Sequence, residues 1–362
     1  SMSRWITLTP RATHESTASL SIFVAFAFPA TKQGNQNVTT EELAGKPGQT
    51  PNHYFPRSLA RAVSMYAVMA LGVLAKGPIG FLMPTSIIGM YLLVVTLKPG
   101  SNASEVPTGL GRRIVQTLLN CIRPFHPIHF LKTCMSMRLP VALIVILLIA
   151  GPWFYLVGQS TNGEFLKTFF LKEHLGRSTT SFENHSGTIF YYPMVMCFGF
   201  FPWSIFALPV LISIFRSKSF PRPLVFLFCW VCVQVGVFTI VQTKLPSYVT
   251  PCYPALAMVC AFYLKSWAEG SIVLPIWLPR LSFATLGMVG MITMIGLAYA
   301  ATAILETELS IALVGIIPMV AGLASLLLWR RISDTRTRFR SIQILQVSAI
   351  ATALLFFGWV LP

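Results

Sequence analysis

Apolar residues run along this chain in long blocks broken by short polar stretches. Windows near 61–75, 78–97, 140–158, 190–215, 223–242, 248–265, 281–303, 309–329 and 341–361 read as membrane helices, with a weaker one near 16–30. A hydrocarbon core ~30 Å thick calls for about 20 helical residues, and each of these blocks is near that length. The block 62–97 is nearly continuous, and as one helix it would run roughly 54 Å. It is therefore predicted to break at Lys76-Gly77-Pro78, where glycine relaxes the backbone and Pro78 suits a first helical turn. Because lipid offers no hydrogen-bond partners, the predicted fold class is an all-α polytopic membrane protein with about 9–10 transmembrane helices. The predicted organisation is an outer segment over 1–15, with no cleavable signal sequence expected, and a single helical transmembrane domain over 16–362.

Composition supports the class. The chain has 362 residues, of which 54% are hydrophobic and only 10% charged. Its formal charge of +16 raises nucleic acid as a partner, but the basic residues are scattered between apolar spans, so no nucleic acid is expected. Ten alternating spans divide the 27 Lys and Arg into 20 on one side and 7 on the other, whereas the 11 acidic residues divide 5 to 6. The positive-inside rule puts the basic side in the cytoplasm, including 98–139 and 330–340, and leaves the 159–189 loop outside. The expected location is the cell inner (plasma) membrane, multi-pass. The 98–139 stretch mixes basic and apolar residues and reads as an interfacial segment on the anionic inner surface, with His126 and His129 as interfacial residues. Cys229 and Cys232 form a CxxC inside an apolar run and read as membrane-helix thiols, since nothing nearby completes a metal site.

Four polar elements fall on the predicted outer face. The 159–189 loop gathers Glu164, Lys167, Lys172, Glu173, His174, Arg177, Glu183 and His185 between two aromatic-rich apolar stretches. Ionisable groups at a bilayer boundary mark where something polar is handled. Arg177 has planar donors suited to phosphate, and His174 can donate or shuttle a proton. Lys76 stands between two spans, where it either snorkels to the headgroups or meets a lipid phosphate. Lys244 and Tyr248 lie in the turn TKLPSY, stiffened by Pro251 and Pro254 just beyond, with an interfacial anchor as the plainer reading of the tyrosine. Glu15 is the carboxylate at the start of the weak first span.

The order LAKGP, PWFY, EHLGR, GFFPW and TKLPSYVTPCYPAL resembles the ArnT/PMT-like membrane glycosyltransferases, with the bacterial ArnT branch the nearer match, from about residue 11 to 260. The resemblance implies transfer of a sugar from a polyprenyl-phosphate donor to a lipid (lipid A-like) or protein acceptor at the outer face of the inner membrane. It implies that Lys76, Arg177 and Tyr248 surround the carrier phosphate, with His174, His185 and Lys244 as further loop and turn candidates and membrane lipids as surroundings. No cofactor follows from it; a divalent cation is left open, and no metal ligands are assigned. The family's main catalytic carboxylate sits in an Asp-Glu loop after the first span, whereas the one aspartate of this chain is Asp334. The chain is thus expected to be an N-terminally incomplete member, with Glu15 and Glu173 as weak substitutes for the base. A transporter or flippase of lipid-linked sugars, or an inactive lipid-binding member, is the alternative.

Overall fold

The computed structural model describes residues 55–97 apart from 57, 122–176, 187–216, 220–303, 309–329 and 334–360. Among the described residues there are helices and turns and no strand. Helix α1 (Leu59–Lys76) and helix α2 (Ile79–Val95) meet at the predicted break. Gly77 adopts φ 70°, a left-handed conformation that favours glycine, and its amide donates to the Val73 carbonyl at 2.8 Å.

Helices α3 (Pro127–Ser136) and α4 (Leu139–Ile149) form a pair bent by 49°, with Arg138 at φ 54° between them. The predicted span 140–158 is two helices, α4 and α5 (Gly151–Ser160), parted at Ala150. Pro152 has no amide for the Leu148 carbonyl, so the ladder is interrupted there. A short helical turn, Glu164–Lys167, continues into a π-helical stretch, Thr168–Gly176. The apolar window 190–215 holds α6 (Tyr191–Gly199) and, after a 3-10 turn at Trp203–Phe206, α7 (Ala207–Arg216). It is bent by 118° around Phe200–Pro202. A glycine and an amide-free proline at one place account for the sharpness of that bend. Helix α8 (Arg222–Ile240), a 3-10 segment (Pro246–Cys252), α9 (Tyr253–Ala268), α10 (Trp277–Ala303), a second 3-10 segment (Leu309–Gly315), α11 (Ile316–Trp329) and α12 (Thr335–Leu355) complete the described chain.

Among the described residues six helices are long and apolar enough to cross a membrane, or up to eight if each bent pair is one span, and α2 is a shorter apolar helix. The all-α polytopic membrane class is borne out. The weak window at 16–30 and the outer segment 1–15 lie outside the described residues. So does most of the interfacial stretch 98–139, of which α3 is the part seen.

The chain gathers into two compact units. The first runs through Tyr192 and takes in Phe220–Ala255; the second comprises Pro193–Ser219 and Leu256–Pro362. In the first unit, α1 and α2 touch backbone to backbone near their shared turn. A Cβ on Gly80 would lie 2.2 Å from the Gly72 carbonyl oxygen, so only glycine fits. Buried polar contacts tie the other ends together. The Tyr66 hydroxyl donates to the Met137 carbonyl, and His129 Nε2 sits 3.0 Å from the Leu93 carbonyl oxygen in the last turn of α2. That oxygen is one of the acceptors a helix end leaves unmatched.

In the second unit Phe206, Leu264, Trp267, Phe283, Leu286 and Leu345 form the core, with Phe206 edge-on to Phe283 at 5.6 Å. Glycines set the spacing of α10 and α11. A Cβ on Gly290 would lie 2.3 Å from the Met319 nitrogen, and one on Gly322 would lie 2.5 Å from the Gly287 nitrogen. Lipid removes most of the hydrophobic drive between helices, so such close van der Waals approach carries the association. At the start of α12, Asp334 caps the helix by accepting the Thr337 amide at 2.8 Å, and Arg338 donates to the Trp267 carbonyl at 2.9 Å.

Candidate functional site

Lys76 is the last residue of α1 and is exposed at the turn into α2. The packing of α2 on α8 decides what lies beside it. Tyr91, near the C-terminal end of α2, meets Phe226, near the N-terminal end of α8, edge-on at 5.5 Å. The two helices are in broad contact, and this meeting of a C-terminal end with an N-terminal end is that of an antiparallel pair. At a rise of ~1.5 Å per residue, Ile79 and Ile240 each lie about 20 Å from that contact in the same direction. The Lys76 turn and the turn carrying Lys244 and Tyr248 therefore share one end of the first unit. Two of the elements assigned from sequence are thus turned toward the same end of this helix pair.

Tyr248 is half-buried in the 3-10 segment, and its position is held twice. Its ring lies against Phe238 of α8 with centroids 4.6 Å apart, and its carbonyl accepts from Gln234 Nε2 at 2.7 Å. Gln234 is a buried amide within an apolar helix, and sequence reasoning missed it. A lone polar side chain in a membrane-length apolar run was the available signal.

Lys244 is only 5% exposed. Its ammonium donates to the carbonyls of Phe238 at 3.1 Å and Val241 at 2.7 Å, and to that of Thr239. These oxygens end α8, where the helix leaves acceptors unmatched and the macrodipole favours a cation. An ammonium has three donors, so the three carbonyls account for all of them. The Lys244 Nζ also stands 5.6 Å from the Tyr192 ring centroid, and its Cγ lies 3.0 Å from where a Cβ on Gly187 would be. Burial holds its pKa below the ordinary lysine value. Lys244 thus closes the helix end and joins it to the last residues of the polar loop.

The first half of that loop is built on aromatic packing. Phe165 stacks on Phe169 at 5.5 Å, Trp153 meets Phe165 edge-on at 5.7 Å, and Phe154 touches Phe169 and Phe170. On this base Glu164, Lys167 and Lys172 are exposed. Glu173 and His174 fall in the π-helical stretch, and their side chains lie outside the described residues. Arg177, Glu183, His185 and Glu15 also lie outside the described residues. Among the described residues no group of three or more His, Cys, Asp or Glu is placed to hold a metal ion.

Helices long and apolar enough to cross a membrane, six to eight of them among the described residues, define a multi-pass membrane protein. No family model matches the chain. The chain is similar to the undecaprenyl phosphate-alpha-4-amino-4-deoxy-L-arabinose arabinosyl transferase of Yersinia pestis (strain Pestoides F), 30% identical over 130 residues, which is 36% of this chain and 23% of that one. The protein of the same name from Yersinia enterocolitica serotype O:8 is 28% identical over 130 residues, again 36% of this chain and 23% of the relative. Among solved structures, ArnT from Cupriavidus metallidurans bound to undecaprenyl phosphate superposes with a TM-score of 0.53 at 20% identity, over 93% of this chain and 52% of that one. Its apo state superposes with the same score at 18% identity. The chain therefore has the ArnT membrane fold, and the likeness to ArnT-like glycosyltransferases read from its motifs is borne out. It spans about half the length of the solved ArnT, and the matched segment is under a quarter of the curated relatives.

Proposed function

We propose that this chain binds the phosphate of a polyprenyl-phosphate sugar at the outer face of the inner membrane and serves transfer of the sugar to a lipid or protein acceptor. The observation that supports the reading is the meeting of Tyr91 of α2 with Phe226 of α8, which turns the helix ends carrying Lys76 and the Tyr248 turn the same way in a chain with the ArnT fold. The likeness over 130 residues to aminoarabinose transferases favours a lipid A-like acceptor. Arg177 joins Lys76 and Tyr248 as a phosphate ligand in this reading, and the 159–189 loop faces outward.

The chemistry follows from charge. The bond from sugar C1 to the phosphate oxygen breaks with its electron pair going to that oxygen. The acceptor hydroxyl oxygen forms the new bond to C1, and its proton passes to a carboxylate. Negative charge grows on the departing phosphate, so cations beside it stabilise the transition state more than the ground state. One unit pair at 4 Å is worth about 4 kcal/mol at an effective dielectric of 20. After solvent discount, loss of Arg177 is expected to slow transfer ~10²–10³-fold. The carboxylate is assigned to no residue here, Glu15 and Glu173 being the candidates within the chain.

The test is binding of undecaprenyl phosphate to purified protein in nanodiscs. Lys76→Ala and Arg177→Ala are expected to weaken binding at least tenfold, and Lys218→Ala, in the 216–222 loop assigned to the cytoplasmic side, to leave it unchanged. Equal affinity in all three overturns the phosphate assignment. Passage of the carrier across a proteoliposome bilayer, with no such loss in the variants, would favour a transporter.

A further inference from the structure

The Lys244 side chain stands between two parts of the candidate site. On one side it holds the carbonyls of Phe238, Thr239 and Val241 at the end of α8. On the other it fills the space left by Gly187 and lies over Tyr192, where the polar loop rejoins the membrane helices. The same Phe238 whose carbonyl it holds carries the Tyr248 ring on its face. Three residues of extended and 3-10 backbone, Leu245, Pro246 and Ser247, separate Lys244 from Tyr248. A change at the ammonium is therefore transmitted to the tyrosine through the helix end and through the turn itself.

We propose that Lys244 is a positioning residue: it locks the end of α8, the end of the polar loop and the 243–248 turn together, and thereby sets Tyr248 for the carrier phosphate. The inference rests on the phosphate reading above and assigns Lys244 a role other than contact with the anion. With every ammonium proton on a backbone carbonyl, and the group buried, Lys244 could reach a phosphate only by uncapping the helix. Its alkyl stem adds packing against the loop end, which an apolar replacement of similar length keeps.

A double-mutant cycle with undecaprenyl phosphate as probe separates the roles. Lys244→Met is expected to weaken binding about tenfold alone, and less than twofold when Tyr248 is already Phe. An additive loss makes Lys244 a ligand in its own right and overturns the proposal, as does unchanged binding in the single variant. Hydrogen–deuterium exchange without ligand provides the independent readout. Amides over 239–250 should exchange at least fivefold faster in Lys244→Met, while those over 316–328 keep their rates. If the unaltered chain binds no undecaprenyl phosphate, the carrier reading fails, and the exchange arm alone decides the positioning role: unchanged protection over 239–250 overturns it. Should Lys244→Met not fold, Lys244→Arg takes its place. The planar guanidinium keeps the charge but cannot direct donors at all three carbonyls, so protection falls by less but still falls; unchanged protection and binding in Lys244→Arg overturn the proposal.

Discussion

Both units of this chain contain a glycine seam, α1 on α2 in the first and α10 on α11 in the second, but they differ in how many side chains reach across to carbonyls. In the first, polar side chains reach backbone carbonyls: Tyr66 to Met137, His129 to Leu93, Gln234 to Tyr248, and Lys244 to the end of α8. Such bonds fix the direction of a side chain and the register of a turn. In the second, α10 and α11 meet glycine to backbone, at distances that exclude even a methyl group. Close approach of this kind fixes the spacing of two rods, and along α10 and α11 it lies beside none of the candidate site residues. The difference teaches where precision is needed: at turns that present Lys76 and Tyr248 in the first unit, and along a helix seam in the second.

The largest expected effect tests the seam. Gly290→Leu should prevent α10 and α11 from meeting, with loss of folded protein on size exclusion. Gly290→Ala should lower thermal stability by ~2–3 kcal/mol, because its Cβ meets backbone that cannot rotate away. Gly296, on the same helix, has nothing within 4 Å of its Cβ position. Gly296→Ala should be neutral or stabilising by ~0.5–1 kcal/mol. Equal behaviour of the two alanine variants in detergent melts would break the contrast.

Next, Gly80→Ala places the same kind of clash beside the Lys76 turn, against the Gly72 carbonyl. It should lower stability by a similar ~1–3 kcal/mol and also weaken undecaprenyl phosphate binding. Gly290→Ala, compared at a temperature where both are folded, should weaken binding less. Parity in binding would remove the functional side of the comparison.

Smaller again is Gln234→Leu, which removes the donor to the Tyr248 carbonyl. Its expected cost is about 1 kcal/mol of stability, the net value of one buried hydrogen bond. The loss should appear as faster amide exchange over 246–252, and unchanged exchange would show that the Phe238 contact alone holds the tyrosine.

The smallest effect belongs to Asp334. Its hydrogen bond with Thr337 holds the carboxyl pKa below the ordinary aspartate range. A depressed carboxylate pKa contributes stability that is present above the unfolded value and is lost as pH falls through the folded one. The melting-temperature gap between the unaltered chain and Asp334→Ala should therefore be present at pH 6 and close below about pH 4. A gap independent of pH would assign the effect to the helix start alone.

Much of the architecture was legible in the hydrophobic pattern. The break at Lys76-Gly77-Pro78 stands where glycine and proline chemistry places it, and α8, α9, α10 and α11 occupy the apolar windows read for them. The windows 140–158 and 190–215 were less legible. Average hydropathy does not register a missing amide at Pro152 or a bend of 118° before Trp203. At the site, Lys244 was readable as a cation in a short turn between two spans. Its three carbonyl partners were not, because they depend on how the chain folds back after Ile240.

What the sequence determined by itself is the class of the molecule and the chemical types at its polar end. A chain this apolar must satisfy its backbone within helices, and its few cations stand where spans end. Only the tertiary structure decided which turns meet. The seating of α2 on α8 turns the Lys76 end of one and the Tyr248 end of the other the same way, and it follows from side-chain contacts such as Tyr91 on Phe226. Those two residues lie 135 positions apart, a separation that local periodicity does not encode. The same is true of Lys244: its identity as a base is in the sequence, but whether its protons face a phosphate or a helix end depends on carbonyls that only the folded turn brings within reach.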